Sequence, residues 1–185
     1  TGGDAAALVS LLEALGVDAL GLNCGAGPLQ LSAPVRQLVH LSSVPVIFKP
    51  NAGLPHTAED GSVRYDIDAD TFAAAVAEAA QEGVAVVGGC CGTTPEHIAK
   101  LHAACAGLSP VPPFSKQTIY LSSGAQAVDA RALDLASLAP IAVPDSLDDL
   151  LDEVFDRQDE EVPVLRLDFS QSSLPPLDAV EAVQE

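Results

Sequence analysis

The sequence predicts an α/β protein built on a parallel sheet. Short apolar runs alternate with helical stretches over roughly residues 4–106, at the spacing of βαβ units. The apolar residues are mostly Ala, Val and Leu, and aromatic residues make up only 4% of the chain. This composition is typical of helices that pack on a buried sheet, whose strands read as continuous apolar runs. A hydrophobic content of 48% favours a buried core over general disorder.

The first elements are two helices, each followed by a strand. Apolar residues at helical spacing predict a helix over Asp4–Leu15, which ends at Gly16, a usual helix terminator. The apolar run Val17–Leu22 predicts the first strand. A second helix follows over Leu29–Leu41, and Val44–Phe48 predicts the second strand.

The next elements repeat this order after a turn at Asp60-Gly61. An Ala-rich helix is predicted over Asp68–Glu82 and a third strand over Val84–Val87. Thr93 with Glu96 three residues later fits a capping box, with Pro95 in the first turn, and predicts a helix that runs to about Ala106.

Beyond the α/β segment the patterns are weaker. Pro110–Pro113 has the composition of a linker, and the chain becomes strongly acidic between Asp145 and Glu161. We expect a helix over Leu147–Phe155 and a strand over Val162–Phe169.

The charge of the chain argues against two classes of partner. A net charge of −18 with only 8 Lys+Arg disfavours nucleic acid, because phosphate contacts supply most of that affinity. The same charge disfavours an anionic membrane surface.

No signal-peptide pattern opens the chain, so we expect a cytoplasmic protein. The chain has no Met and begins in what reads as a loop, and we therefore expect a fragment of a longer protein.

Polar and Gly-rich clusters follow each of the three predicted strands. They are Asn23-Cys24-Gly25, Pro50-Asn51-Ala52-Gly53 and Gly89-Cys90-Cys91-Gly92. Functional sites of parallel α/β folds are built at this edge of the sheet. Three thiols at one edge suit zinc, which takes thiolates in tetrahedral geometry and keeps one position open in catalytic sites. The sequence therefore predicts a zinc site formed by Cys24, Cys90 and Cys91.

Adjacent cysteines would point to opposite faces of a regular strand. The glycines at 88, 89 and 92 let the chain leave strand geometry, so that the Cys90 and Cys91 sulfurs can turn to the same side. Spacing alone leaves two other interpretations open, buried free thiols and a vicinal disulfide. We interpret Cys105 as an ordinary core thiol. The four histidines, His40, His56, His97 and His102, are weak ligand candidates, and His97 suits a surface or capping role.

Three motifs resemble the homocysteine S-methyltransferase domain family, most closely the N-terminal homocysteine-binding module of cobalamin-dependent methionine synthases. They are Gly-Leu-Asn-Cys at 21–24, Lys-Pro-Asn-Ala-Gly-Leu-Pro at 49–55 and Gly-Gly-Cys-Cys-Gly-Thr-Thr-Pro-Glu-His-Ile at 88–98. Their order, spacing and strand context agree over about residues 1–108, and the third motif is highly specific.

The resemblance implies a parallel (βα)₈ fold of the TIM-barrel type, of which this chain would hold about the last three βα units. Cys24 would follow the sixth barrel strand and Cys90 with Cys91 the eighth, with Thr1-Gly2-Gly3 as the loop that leaves the fifth. The implied domains are the C-terminal part of the barrel at 1–109, a linker at 110–128 and an acidic extension at 129–185. Thr118–Val128 resembles a segment that leads to a pterin-binding domain, but the motif Gly-Glu-Arg-Asn-Pro-Thr-Gly expected after it is absent.

The resemblance also implies a reaction, in which zinc holds the homocysteine sulfur as a thiolate that accepts a methyl group and gives methionine. The implied donor is methylcobalamin carried on another domain, and the implied partners are cobalamin- and folate-binding domains of the same or a partner protein. We expect Asn51 and Gly53 to shape the substrate rim, although a structural turn explains them equally well. No catalytic side chain is expected beyond the metal ligands.

Two alternatives stay open at this point. One is a free-standing homocysteine methyltransferase that uses betaine or S-methylmethionine. The other is a non-catalytic zinc-binding or interaction fragment, since three strands cannot close an eight-stranded barrel. We expect residues 1–185 on their own to be inactive.

Overall fold

The computed structural model describes residues 3–113, 119–123, 125–134, 136–158, 164–176 and 178. The chain divides into two compact units, Thr1–Asp129 and Ala130–Glu185. Thr1, Gly2, Thr118, Val162 and Pro163, for which the sequence carried expectations, lie outside the described residues. In the part of the chain that is described, no helix is long and apolar enough to cross a membrane.

The first unit alternates strands and helices, as the sequence predicts. Its helices are α1 (Ala5–Ala14), α2 (Pro28–Leu41), α3 (Ala69–Gln81) and α4 (Pro95–Ala104). Its strands are β1 (Leu20–Asn23), β2 (Val46–Lys49), β3 (Pro55–Thr57), β4 (Val63–Tyr65), β5 (Val86–Val87), β6 (Tyr120–Ser122) and β7 (Ala127–Asp129). Each of the four predicted helices and three predicted strands is present, with its ends moved by at most three residues.

Strands β1, β2 and β5 form one parallel sheet in the order β1-β2-β5. Leu20 lies opposite Val46, and Phe48 lies opposite Val87. Parallel strands connected by helices confirm the α/β class that the sequence predicts. Because all three strands run in one direction, their carboxyl ends lie along the same edge of the sheet.

The core of this unit lies between one face of the sheet and the helices. Alternate residues of β2, Val46 and Phe48, are buried in it, because successive strand residues point to opposite faces. Phe72 and Val76 of α3 are fully buried against them. The other face of the sheet is more open, and Val86 of β5 is 49% exposed there.

Two antiparallel hairpins were not predicted. Strands β3 and β4 pair on either side of the predicted turn at Asp60-Gly61. Strands β6 and β7 form a second hairpin, which apart from Asp129 lies in the segment expected to be a linker. The Asp4 N–H donates a 2.9 Å hydrogen bond to the Ala125 carbonyl oxygen in this hairpin. Hairpins with strands of three residues carry too few alternating positions to stand out in a sequence.

The start of α4 corrects the sequence prediction by one residue. The N-cap is Thr94, not Thr93. The side chain that accepts a hydrogen bond from the N-cap backbone is that of His97, not that of Glu96. The Thr94 N–H lies 3.3 Å from His97 Nδ1. The Thr93 hydroxyl does not cap the helix, because it donates a 2.7 Å hydrogen bond to the Cys90 carbonyl oxygen.

The second unit is a small α/β element. Strands β8 (Ile141–Ala142) and β9 (Leu167–Asp168) pair in parallel, and α5 (Leu147–Gln158) lies between them in sequence. Val143, Leu150 and Val154 form its buried cluster. The predicted helix is therefore confirmed. Of the predicted strand 162–169, the structure describes residues 164–169, and two of these, Leu167 and Asp168, are in strand conformation. The proposed relation to a pterin-binding domain stays a prediction.

Candidate metal centre

The three loops predicted to carry the site meet at the carboxyl edge of the parallel sheet. Backbone hydrogen bonds join them in sequence order across the sheet. The Cys24 N–H donates to the Lys49 carbonyl oxygen at 3.0 Å, and the Cys90 N–H donates to the Pro50 carbonyl oxygen at 2.8 Å. The loop after β2 therefore lies in the middle and sets the positions of both cysteine loops.

The sulfur atoms of Cys24, Cys90 and Cys91 form one compact group. Sγ of Cys91 lies 3.7 Å from Sγ of Cys24 and 3.9 Å from Sγ of Cys90, and the three atoms all lie within 4.8 Å of one another. Sulfurs that share a tetrahedral zinc ion at about 2.3 Å are about 3.8 Å apart. The group therefore has the donor set and the spacing for a metal ion.

The cysteine pair leaves strand geometry as the sequence predicts. Strand β5 ends at Val87, and a turn follows at Cys91-Gly92, so that both sulfurs lie on one side. All four cysteines are free thiols, and the 3.9 Å between the Cys90 and Cys91 sulfurs shows that no vicinal disulfide is formed. Cys105 lies apart, at the C-cap of α4, partly buried against the core, and burial raises the pKa of its thiol.

The side chain of Asn51 is hydrogen-bonded to the backbone of Cys91. Asn51 is 4% exposed, and its Oδ1 accepts a 3.1 Å hydrogen bond from the Cys91 N–H. The next residue, Ala52, donates its N–H to the Cys91 carbonyl oxygen at 2.9 Å. Asn51 also donates its own N–H to the Ala26 carbonyl oxygen, 3.0 Å away. One buried residue therefore ties both cysteine loops together.

The thiols differ in their tendency to ionise. The N–H of Gly25 lowers the pKa of Cys24, and hydrogen bonds from the Cys91 and Cys90 thiols lower it further. Desolvation raises the pKa of Cys90, and its contact with Cys24 adds to this effect. Of these two thiols, Cys24 therefore ionises more readily, and its backbone has a left-handed φ of 69°.

Gly53 has both a positive φ and a close contact. Its φ is 100°, and a Cβ at this position would lie 1.9 Å from Oδ1 of Asp66. That oxygen accepts a 2.9 Å hydrogen bond from the Leu54 N–H. Gly53 therefore lets the loop after β2 fold closely against Asp66 and Ile67, the residues that follow β4.

Tyr65 belongs to the site, although the sequence patterns did not point to it. It is the last residue of β4 and is half-buried, and a Cβ at Gly92 would lie 2.3 Å from Cγ of its ring, so the ring lies against the residue next to Cys91. Partial burial and then the contact with Cys91 raise the pKa of Tyr65. The sequence feature that could have found it is the Asp60-Gly61 turn, which brings the second strand of a hairpin back to the loop after β2.

The histidines do not join the sulfur group. His40, His56 and His102 are exposed, and none of the four belongs to a group of potential ligand atoms in the described residues. His97 is buried, and besides its role at the Thr94 cap its Nε2 lies 3.1 Å from the Ile67 carbonyl oxygen. Of the two roles expected for His97, the capping role is confirmed and the surface role is wrong, because the side chain is buried.

The segment that carries the sulfur group also shows which family the chain comes from. Residues 1–105 match the family model described as homocysteine S-methyltransferase. The chain belongs to the homocysteine S-methyltransferase family. All three clustered cysteines, together with Asn51, Gly53 and Tyr65, lie inside the segment that matches this family.

Individual relatives of this homocysteine S-methyltransferase segment are much longer than the chain. The methionine synthase of Mycobacterium leprae (strain TN) is 43% identical over 106 residues, which are 57% of this chain and 9% of the relative. The methionine synthase of Mycobacterium tuberculosis (strain ATCC 25618 / H37Rv) is 43% identical over 108 residues, 58% of this chain and 9% of the relative. The chain therefore corresponds to a small part of these relatives.

Proposed function

We propose that this chain provides the zinc site of an enzyme that transfers a methyl group to the sulfur of homocysteine, giving methionine. The observation that carries the proposal is the spacing of three thiols from two different strand ends. Their 3.7 Å and 3.9 Å separations suit a shared tetrahedral ion, within a segment that belongs to a family defined by this substrate.

The residues of the chain would act as a fixed set of three donors. Cys24, Cys90 and Cys91 hold the ion, and the exposed position of Cys91 leaves the outer side of the group open to solvent. When bound, zinc supplies a fourth, exchangeable position and Lewis-acid stabilisation of a substrate thiolate at neutral pH. The Gly25 N–H favours the ionised form of Cys24, and Asn51 keeps the backbone of Cys91 in place. These contacts prepare the donor set before substrate arrives.

Asn51 and Gly53 are proposed to shape the substrate rim. Both are buried, and the amide oxygen of Asn51 is 3.1 Å from the Cys91 N–H. The proposal is supported by the hydrogen bonds of Asn51 and Ala52 to Cys91, because a substrate bound to the ion would then lie close to the loop that contains Gly53.

We also propose that the sheet is the last part of a (βα)₈ barrel. In the parallel sheet β1 pairs with β2, and β2 pairs with β5. The parallel strands are therefore neighbours in the order in which they follow one another in the chain, as in a barrel. The more open face of the sheet, where Val86 is 49% exposed, supports this arrangement, because it would face the barrel interior. The barrel segment at 1–109, the linker at 110–128 and the extension at 129–185 are proposed with it.

Methylcobalamin is the proposed donor, carried on another domain, with cobalamin- and folate-binding domains as partners. The support is the motif resemblance and the 43% identity to two methionine synthases. Full-length protein supplied with homocysteine should form methionine from methylcobalamin and not from betaine or S-methylmethionine. Methionine formed from either of the latter donors would contradict the proposed donor and leave the site proposal in place.

The metal site itself is tested by zinc content and thiol titration. Wild-type protein should hold one zinc ion per chain, and Cys24→Ser, Cys90→Ser and Cys91→Ser should each lose it. Cys105→Ser is the matched control, because this thiol lies outside the sulfur group, and it should keep the ion. A folded wild-type protein without zinc after incubation with zinc under reducing conditions would refute the proposal.

A further inference from the structure

The side chain of His97 completes a ring of hydrogen bonds that starts at the backbone of Cys91. The Ala52 N–H donates to the Cys91 carbonyl oxygen at 2.9 Å, and the Ile67 N–H donates to the Ala52 carbonyl oxygen at 3.0 Å. The Ile67 carbonyl oxygen in turn lies 3.1 Å from Nε2 of His97. On the other side of the imidazole, Nδ1 lies 3.3 Å from the backbone nitrogen of Thr94. Because Thr94 is three residues after Cys91, the ring returns to the turn from which it started.

The partners of His97 determine which nitrogen of its imidazole carries the hydrogen. A backbone N–H only donates, so Nδ1 accepts from Thr94, whose hydroxyl also lies 2.9 Å from this nitrogen. A carbonyl oxygen only accepts, so Nε2 carries the hydrogen and donates it to Ile67. His97 is buried, and its imidazole meets the ring of Phe72 edge-on, with the centroids 5.4 Å apart. Packing and both hydrogen bonds therefore hold the imidazole in one orientation.

The ring matters for the sulfur group because Cys91 is its exposed member, whereas Cys24 and Cys90 are partly buried. The Cys91 sulfur is also the one that lies within 4 Å of both other sulfurs, at 3.7 Å and 3.9 Å. The backbone of Cys91 is held at two points, its N–H by Asn51 and its carbonyl oxygen by Ala52. The second of these contacts belongs to the ring that His97 completes.

Building on the proposed zinc site, we propose that His97 is a positioning residue of the metal centre. Its Nε2–H holds the Ile67 carbonyl oxygen, and Ile67 fixes Ala52, the residue that binds the Cys91 carbonyl oxygen. The ring therefore keeps the Cys91 sulfur at the spacing that zinc requires before the ion binds. Without the Nε2–H contact, this turn has to be ordered when the metal binds, and that cost lowers the affinity for zinc.

The first test measures the zinc dissociation constant of the full-length protein by competition with a chelator. His97→Asn keeps an acceptor at the position of Nδ1 but is too short to reach Ile67. It should weaken zinc binding by about tenfold, the lower end of the range for residues that support metal ligands. His97→Gln places an amide N–H at the position of Nε2 and should bind zinc nearly as tightly as wild type. Unchanged affinity in His97→Asn, or an equal loss in both variants, would overturn the inference.

The matched control for a general loss of stability is Asp4→Ala. Asp4 is the N-cap of α1, and its carboxylate accepts from the Ala7 N–H at 3.1 Å. Its replacement therefore destabilises a helix of the same unit but leaves the ring of hydrogen bonds intact. The zinc dissociation constant of Asp4→Ala should equal that of wild type. A loss of affinity as large as in His97→Asn would attribute the effect to stability alone and overturn the inference.

The second test needs no metal, and it separates this inference from the proposed zinc site. Amide hydrogen exchange is followed in the metal-free full-length protein by mass spectrometry, with fragmentation to single residues. His97→Asn should speed exchange at Ala52 by about tenfold, as expected for loss of one hydrogen bond of the ring. Exchange at Cys24, whose N–H donates to the Lys49 carbonyl oxygen, should not change. Unchanged exchange at Ala52 would overturn the inference even where zinc binds, whereas wild-type protein without zinc would refute the proposed site.

Discussion

The contact between Gly53 and the residues that follow β4 leads to a quantitative prediction for Gly53→Ala. The new methyl group would lie 1.9 Å from Oδ1 of Asp66 and 2.9 Å from Cγ1 of Ile67. Neither distance is compatible with van der Waals contact, so Asp66 has to move. Its movement breaks the 2.9 Å hydrogen bond that its carboxylate accepts from the Leu54 N–H.

Two costs add in this variant. A residue with a Cβ in a left-handed backbone conformation costs about 1 kcal/mol or more relative to glycine. The lost hydrogen bond to a carboxylate costs about 1.5 kcal/mol, the lower end of the usual range, because Leu54 is exposed and water replaces part of the bond. Alanine also lowers the conformational entropy of the unfolded chain, which raises the free energy of unfolding by about 0.5 kcal/mol. The free energy of unfolding should therefore fall by about 2 kcal/mol.

Gly61→Ala is the matched control for the backbone term. Gly61 has a φ of 79°, but a Cβ at this position would meet no atom within 4 Å, so its replacement adds conformational strain without a collision. Its cost should be about 0.5 kcal/mol after the same correction for the unfolded chain. Urea unfolding followed by circular dichroism gives both values. Equal losses for the two variants would refute the reasoning, because the displacement of Asp66 would then cost nothing.

Two further predictions concern α3. Phe72→Ala removes a ring with 0% exposure from the core and should lower the free energy of unfolding by about 3–5 kcal/mol, whereas Phe155→Ala, at 58% exposure, should change it by about 0.5 kcal/mol or less; similar losses in urea unfolding would contradict this difference. The Thr71 N–H and then the Thr71 hydroxyl lower the pKa of Asp68, the N-cap of α3. Because the folded pKa lies below the unfolded value of about 3.9, the stabilisation is present above that pH and is lost as the pH falls through the folded pKa. The stability difference between wild type and Asp68→Asn should therefore narrow below about pH 4, and a constant difference in thermal melts from pH 7 to pH 3 would argue against it.

The helices and parallel strands could be predicted from local patterns. Helix α1 begins at an N-cap, Asp4, whose carboxylate accepts from the Ala7 N–H at 3.1 Å, and such caps are visible in the sequence. The start of α4 was predicted one residue early, because Thr93 has the Glu of a capping box three residues later, whereas Thr94 has His97 at that spacing. Only the folded chain shows that the Thr93 hydroxyl binds the Cys90 carbonyl oxygen and leaves Thr94 as the cap.

The hairpin β3–β4 could not be predicted from the sequence patterns. A turn was predicted at Asp60-Gly61, but strands of three residues on each side carry too little alternation to be recognised. The chain just after β4 is also hydrogen-bonded to a residue outside the hairpin, from the Ile67 N–H to the Ala52 carbonyl oxygen. The position of Tyr65 beside Cys91 follows from those contacts, and for that reason it was missed.

The sequence by itself determined the α/β class and the three cysteines that follow strands. Local periodicity decides which residues form helices and strands, and parallel pairing then places the strand ends along one edge. Only the tertiary structure decided that the Cys24 and Cys91 sulfurs lie 3.7 Å apart, that Asn51 is hydrogen-bonded to both cysteine loops, and that the Tyr65 ring lies against Gly92. These arrangements join residues as much as 67 positions apart in sequence. Such distances are set by packing and by hydrogen bonds between loops, which no local pattern encodes.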